Sequence, residues 1–277
     1  MEEIGYNNGR ETFSVSYRKA KSHHMQTNHF HSTYEIFHLM KGKRTFFIKD
    51  RTMVVDEGHI IIIAPDVLHR TTDAQASGYE RLVINIHGEE LPWTDGISRE
   101  FIRPLFAEDY LIIKCPLQER LMIDEISHSI LREIREQPPG FELYAQTLVL
   151  QLIIACCRQV IQSSTEPSEA PSPAHERIME VVRFINSQYM QDLSLPAVAE
   201  KFYVSPYYLS RFFKEATGFT FVEYLNSVRV KEAKQLLEQT SLKASLIARK
   251  VGFGSITHFG RVFKQVTGHA PLYYRKR

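Results

Sequence analysis

Cysteine is scarce in this chain of 277 residues: Cys115, Cys156 and Cys157 are the only three. Two are adjacent and the third lies far upstream, so the spacing offers neither a disulfide framework nor a zinc site, and buried thiols in a reducing compartment are the expectation. A repair enzyme that accepts methyl groups on a zinc-bound cysteine needs more thiolates than this and is excluded. Long apolar runs are missing too. The best candidate, LVLQLIIACC at 148–157, falls short of the roughly 18 residues that span a bilayer. The opening MEEIGYNNGR has neither a basic nor an apolar stretch, so no secretory leader is expected and a cytoplasmic protein is. No phosphate-binding glycine loop, Ser/His/Asp or Cys/His pattern or catalytic carboxylate pair occurs, and enzyme activity is not expected. Net charge is small as well, +2.

That small charge hides an asymmetry. Residues 176–277 hold 16 Lys and Arg against 8 Asp and Glu, a net of +8, whereas residues 1–175 hold 18 against 24, a net of −6. The basic third has the electrostatic footprint of a phosphate-binding surface. It also contains a repeat. Residues 205–218, SPYYLSRFFKEATG, and 255–268, SITHFGRVFKQVTG, align at an offset of fifty and share Ser, Arg, Phe, Lys, Thr and Gly. Each copy reads as a helix with Ser at its N-cap and Gly just past its end. Leu209, Phe212 and Phe213 fall on an inward face, as do Phe259, Val262 and Phe263. Tyr207, Ser210, Arg211 and Lys214 are left outside in one copy, and Ile256, Thr257, Gly260, Arg261 and Lys264 in the other. A short helix precedes each copy, at 195–202 and 244–253, so two helix-turn-helix units are predicted, the second helix of each shaped for a DNA major groove. Thr220 and Glu223 form a capping box that opens a connector helix running to about Gln239, roughly 30 Å long and close to one turn of B-DNA. Ordinary helical hairpins with solvated cations would show the same periodicity; the charge asymmetry argues for DNA.

Residues 176–277 resemble the DNA-binding domain of the AraC/XylS family of transcription regulators, and GFGSITHFGRVFKQVTGHAPLYYR at 252–275 resembles that family's signature. The resemblance implies base contacts from Tyr207, Ser210 and Arg211 in the first reading helix and from Ile256, Thr257, Gly260 and Arg261 in the second. Lys214 and Lys264 would meet phosphates. Ile256 and Gly260 depart from the polar side chains common at their places, and neither offers a hydrogen bond, although Ile256 can touch a thymine methyl. The first unit is therefore expected to read more sequence, and the second to lean on the DNA backbone.

Upstream, TYEIFHLM (33–40), KRTFFIKD (43–50), RTMVV (51–55), HIIIIAP (59–65) and YERLVINIH (79–87) are short and rich in β-branched and aromatic residues. Turn signals at Lys41-Gly42, Asp50, Glu57-Gly58 and Pro65-Asp66 separate them, which predicts a small antiparallel barrel or sandwich. His29, His31 and Glu35 share odd parity with Thr33, Phe37 and Leu39 and should face one interior; His38 has the opposite parity. His69 follows the turn at Pro65. HFHSTYE, Gly42, Gly58, Pro65 and His69 together resemble the two motifs of a cupin barrel. That resemblance gives His29, His31, Glu35 and His69 two alternative occupants: a divalent metal, as in metal-holding cupins, or a small effector held by hydrogen bonds. The effector is preferred, because AraC-like sensors commonly keep such residues without metal, and no cofactor is then expected.

Two helices should follow. Ile123, Ile126, Ile130 and Ile134 make an amphipathic stripe, and residues 142–161 are apolar nearly all round. The stripe can pack on the barrel; the AraC resemblance implies instead that a helix at this place pairs two chains. Residues 162–173, QSSTEPSEAPSP, have the composition of a linker.

The predicted fold class is α+β. Residues 1–161 form a cupin-like antiparallel barrel with two packing or dimerisation helices, 162–175 a linker, and 176–277 an all-α domain of two helix-turn-helix units joined by a long helix. The predicted protein is a cytoplasmic homodimer, without a membrane partner, that binds double-stranded promoter DNA and answers to a small molecule, foremost a carbohydrate. It would act as an activator that engages RNA polymerase. Two other readings compete: a metal-dependent cupin enzyme with secondary DNA binding, and a constitutive regulator whose barrel only dimerises.

Overall fold

The computed structural model describes residues 2–10, 12–21, 30–73, 78–88, 100–162 and 173–275. Strands come first: β1 (Glu2–Asn7), β2 (Phe13–Ala20), β3 (Tyr34–Ile48), β4 (Arg51–Asp56), β5 (His59–Ile63), β6 (His69–Asp73), β7 (Tyr79–Ile86) and β8 (Tyr110–Lys114). Antiparallel pairing orders six of them β1-β2-β7-β3-β5-β8, while β4 and β6 flank the far half of β3. A strand of 15 residues is long enough to serve both groups.

The turn predicted at Lys41-Gly42 is a bulge within β3 instead. Leu39 pairs with Arg81 and Lys41 with Glu80, so Met40 is an extra residue. Gly42 has φ +89°, and a Cβ there would lie 2.3 Å from the Gly78 carbonyl oxygen. Glycine is required, but for the close approach of β7 and not for a hairpin. The bulge also exchanges the faces of the strand. Before it, Glu35, Phe37 and Leu39 point inward; after it, Arg44, Phe46 and Ile48 do, meeting Val55, Ile61, Ile63, Tyr79 and Val83.

The outer face of the first group, with Ile36, Met40, Ile60, Ile62, Leu82 and Ile84, is covered by α1 (Leu117–Glu136) and α2 (Phe141–Gln162). Each of these side chains contributes roughly 1.5–3 kcal/mol when fully buried. Ile123, Ile130 and Ile134 are at most 3% exposed in this contact, so the isoleucine stripe packs on its own chain. By length and composition α2 could cross a membrane, contrary to the shorter run read from sequence. Its Leu148, Leu152, Ile153 and Cys156 lie in the same buried cluster as the strands. Burial pushes the Cys157 thiol up to about 11, as expected of an inert, enclosed sulfur.

Six α-helices and a closing 3-10 turn (Pro271–Tyr274) complete the described chain: α3 (Pro173–Gln188), which sequence did not announce, α4 (Leu195–Lys201), α5 (Pro206–Thr217), α6 (Phe221–Gln239), α7 (Ala244–Lys250) and α8 (Ile256–Thr267). Pairs α4–α5 and α7–α8 are the two predicted units, with α6 between them. The capping follows the residues. Ser205 accepts from the Tyr208 amide and Ser255 from the His258 amide, and Thr220 and Glu223 satisfy each other's backbone N–H at the start of α6. Gly218 and Gly268 end α5 and α8 in the left-handed region, at φ +78° and +81°.

Leu209, Phe213, Phe259, Val262 and Phe263 enter one core, whereas Phe212 is half-buried at its edge. A buried cation ties this core together. Arg229 on α6 donates to the carbonyls of Tyr189 and Gln191, both at 2.8 Å, and lies 5.7 Å over the Phe253 ring. Gly252, in the second turn, has φ +92°, and a Cβ there would come 2.8 Å from the Tyr189 oxygen and 2.9 Å from the Arg229 guanidinium. Most of the predicted linker, residues 163–172, lies outside the described residues.

Candidate DNA-reading face and effector site

Helical spacing decides what α5 and α8 show to solvent. Leu209 and Phe213 turn in, so Tyr207, Ser210, Arg211 and Lys214 turn out, and all four are exposed, Tyr207 at 77%. On α8, Ile256, Thr257, Arg261 and Lys264 are exposed, and Gly260 is intermediate with nothing within 4 Å of where a Cβ would stand. Arg261 is steadied by a 3.2 Å contact with Nδ1 of His258 one turn earlier. Arg211 lies 5.8 Å over the Phe212 ring.

An open depression of roughly 400 Å³ is lined by Tyr207, Ser210, Arg211, Lys214 and Glu215. Chemically it combines two cations that suit phosphate or guanine, an aromatic face, and one carboxylate that can accept from a cytosine amino group. Sequence reasoning missed Glu215, since the repeat places a Gln there in the second copy. It also missed Tyr203, which is 91% exposed at φ +55° in the turn before α5. Nothing in the residues announced it, because the left-handed backbone of that turn is set by the fold.

In the barrel, three of the four predicted residues come together. Nε2 of His31 is 3.1 Å, and Nε2 of His69 3.7 Å, from the same Glu35 carboxylate oxygen. Backbone carbonyls orient both rings: Nδ1–H of His31 donates to Thr33 O at 2.8 Å and Nδ1–H of His69 to Val67 O at 2.9 Å. Each Nε2 is thereby turned on the carboxylate, an arrangement that could accommodate a proton shared by His31 and Glu35 or a metal ion. Burial pushes the Glu35 carboxyl upward, but the field of His69 and the bonds from both rings outweigh it and hold the group well below the usual carboxylate range. Burial likewise lowers His31, yet its bond to Glu35 brings it above its ordinary value.

These three donors lie within 4.8 Å of one another and could hold a divalent ion, their imidazole and carboxylate chemistry suiting a transition metal. They suit the hydroxyls of a polar ligand equally well. His29, the fourth predicted residue, lies outside the described residues. His38 is on the other face, as its parity requires, with Nδ1 2.9 Å from Ser127 Oγ and Nε2 3.3 Å from Asp124 on α1. Sequence reasoning missed Arg44, buried 4.3 Å over the Tyr79 ring, and Arg81, which feels the charge of Glu35. Without the bulge, parity points Arg44 away from Glu35.

The family model of an AraC-like ligand binding domain matches residues 13–153, and that of a helix-turn-helix domain matches residues 198–277. The HTH-type transcriptional regulator YijO of Escherichia coli is 31% identical over 147 residues, 53% of this chain and 50% of its own. The HTH-type transcriptional regulator YfiF of Bacillus subtilis is 27% identical over 290 residues, covering 95% of this chain and 83% of its own. The arabinose operon regulatory protein of Escherichia coli is 31% identical over 136 residues, 48% of this chain and 44% of its own. The chain thus spans about half the length of the first and less of the third.

Proposed function

Since the chain belongs to the AraC family of transcription regulators, we propose that it binds promoter DNA through α5 and α8 and that a small effector in the barrel sets how well it does so. The single observation that carries this is the pair of matched helices, each capped by Ser, closed by Gly and showing an Arg and a Lys to solvent over a largely apolar inner face. Arg211 and Arg261 would take base or phosphate contacts, Lys214 and Lys264 phosphates, with Tyr207, Ser210, Ile256 and Thr257 at base edges. Affinity should then fall steeply with salt.

The effector would lodge at His31, Glu35 and His69. One carboxylate, two oriented imidazoles and the nearby Arg81 form a hydrogen-bonding set for a polyhydroxylated ligand, and the name of the arabinose operon relative favours a carbohydrate. Such a ligand acts only by binding one arrangement of the protein better than another. An activating role, which would bring RNA polymerase as partner, belongs to the same proposal. Pairing of two chains would have to use what α1 leaves bare, Leu117 and Leu121, at 71% and 65% exposure, because the isoleucines are enclosed.

Selection of bound fragments from the source genome tests the DNA assignment, and thermal shift against a sugar library tests the effector, since a ligand of the folded state must raise its melting temperature. No enriched fragment would end the first; no sugar raising the melting temperature would end the second. A metal-dependent reading keeps one specific support, the spacing of the three donors. Elemental analysis of the purified protein decides it, stoichiometric metal being required.

A further inference from the structure

Strand β6 has two faces, and they serve different halves of the molecule. Facing Ile48 and Phe46 across the pair with β3, His69 and Thr71 point into the barrel; Arg70 and Thr72 point out. The Arg70 guanidinium donates to the carbonyl of Gly218, lies 3.7 Å from the Glu223 carboxylate and stands 4.4 Å over the Phe219 ring. The fit is close: a Cβ on Gly218 would meet Arg70 Cδ at 2.8 Å and Thr72 Cγ2 at 3.0 Å.

The loop before β6 is shared in the same way. The Asp66 amide donates to His31 O at 2.7 Å, and the Asp66 carboxylate accepts from Lys234 Nζ at 2.6 Å. Lys234, on α6, is only 4% exposed. Leu68 and Phe47 enter the core of the helical domain, where the Phe47 ring stands edge-on to Phe219 and Tyr224 at 5.9 and 5.8 Å. Thr52 Oγ1 donates to Ala216 O at 2.5 Å, and the Tyr224 hydroxyl to Lys49 O at 3.2 Å. Apart from the Lys234 pair, these contacts gather where α5 passes into α6, and they leave Tyr207, Ser210, Arg211 and Lys214 open to solvent.

We propose that β6 and the loop before it transmit the state of the His31–Glu35–His69 cluster to the first reading helix, by altering how firmly the α5–α6 junction is seated on the barrel. The proposal rests on the reading that an effector binds at that cluster. Adjacent residues of one paired strand cannot move independently, so a ligand that displaces His69 displaces Arg70, and one that displaces His31 pulls on Asp66. An enclosed Lys234 ammonium is costly to leave without its Asp66 partner, the next carboxylate, Glu238, lying 3.9 Å away, and this favours two states of the seat over a continuum. Coupling of this kind is reciprocal: weakening the seat must alter occupancy of the cluster.

Hydrogen exchange of the full chain, read by mass spectrometry at amides 217–224, tests it. Arg70→Ala and Asp66→Lys should raise exchange there about tenfold or more. The reversed pair Asp66→Lys with Lys234→Asp should return it to within about threefold of the parent. The decisive variant is His69→Ala, which touches no helix of the reading domain yet should raise exchange at 217–224; His38→Ala, equally buried on the opposite face, should not. Should His69→Ala fail to fold, Glu35→Gln makes the same comparison. Unchanged exchange at 217–224 in a folded His69 or Glu35 variant, or an equal effect from His38→Ala, overturns the proposal. Thermal shift with sugars and mobility shift with DNA report on the effector and DNA readings separately, so those can fail while the coupling stands, and the reverse.

Discussion

Replacing Gly252 by alanine isolates the contact that holds the second turn against α6. Two costs follow from the geometry. An L residue at φ +92° bears left-handed strain of roughly 1–2 kcal/mol. The new methyl would also press on the Tyr189 carbonyl at 2.8 Å and the Arg229 guanidinium at 2.9 Å, so Arg229 must give up at least one of its two bonds, costing about 1.5–3 kcal/mol more. The expected loss is about 2.5–5 kcal/mol, a large share of the stability of a small domain. Urea unfolding followed by far-ultraviolet circular dichroism measures it. Gly260→Ala is the internal control: its Cβ meets nothing within 4 Å inside a helix, so it should stabilise by up to about 1 kcal/mol. In an Arg229→Met background the cost of Gly252→Ala should fall by the share of the Arg229 bond, about 1.5–3 kcal/mol, leaving the strain and the contact with the Tyr189 carbonyl. A loss below about 1 kcal/mol in the parent chain, or one that Arg229→Met leaves unchanged, would refute the reasoning.

Arg211→Ala should weaken binding to a selected promoter fragment by about 1–3 kcal/mol in mobility-shift titration and relax base preference, whereas Lys214→Ala should weaken all sequences alike and flatten the salt dependence by about one unit. Leu121→Glu should abolish any concentration-dependent association seen by sedimentation, and Ile130→Glu should instead unfold the N-terminal half, since Ile130 is fully buried. Burial raises the Asp124 carboxyl, but His38 and Arg120 bring it below its ordinary 3.8. A carboxyl lowered by folding stabilises above its ordinary value and loses that contribution as the pH falls through the folded one. Asp124→Asn should therefore lower stability at neutral pH and flatten the acid limb below pH 3.8, parent and variant converging as the pH falls, as thermal melts across pH would reveal.

Local chemistry was legible and distant pairing was not. Ser205, Gly218, Thr220 and Glu223 act on backbone groups within four residues of themselves, so the helices of both units could be read directly from the sequence. The inward set of α5 needed one amendment, because Phe212 sits at the rim of the core. In the barrel, the shared parity of His31 and Glu35 predicted their meeting. Arg44, Tyr79 and Arg81 were missed, since nothing in the residues around Met40 distinguishes a bulge from a turn once Gly42 is present. Strands β6 and β8 owe their existence to partners that are not their neighbours in the chain. The contact between Arg70 and Gly218 joins residues 148 positions apart and left no periodic trace.

The single extra residue in β3 has a consequence for how such a chain can change. Deleting Met40 would remove the extra residue and leave Arg44 and Phe47 where they are. Straightening the bulge with Met40 kept in the ladder would instead restore strict alternation along the whole strand, so that Phe47 rotated into the cavity and Arg44 rotated toward the helices. The ligand chamber would lose its enclosed arginine and the junction its aromatic anchor in one event, although neither residue had been altered. The kink, more than any one side chain beyond it, thus assigns each residue of the far half its face.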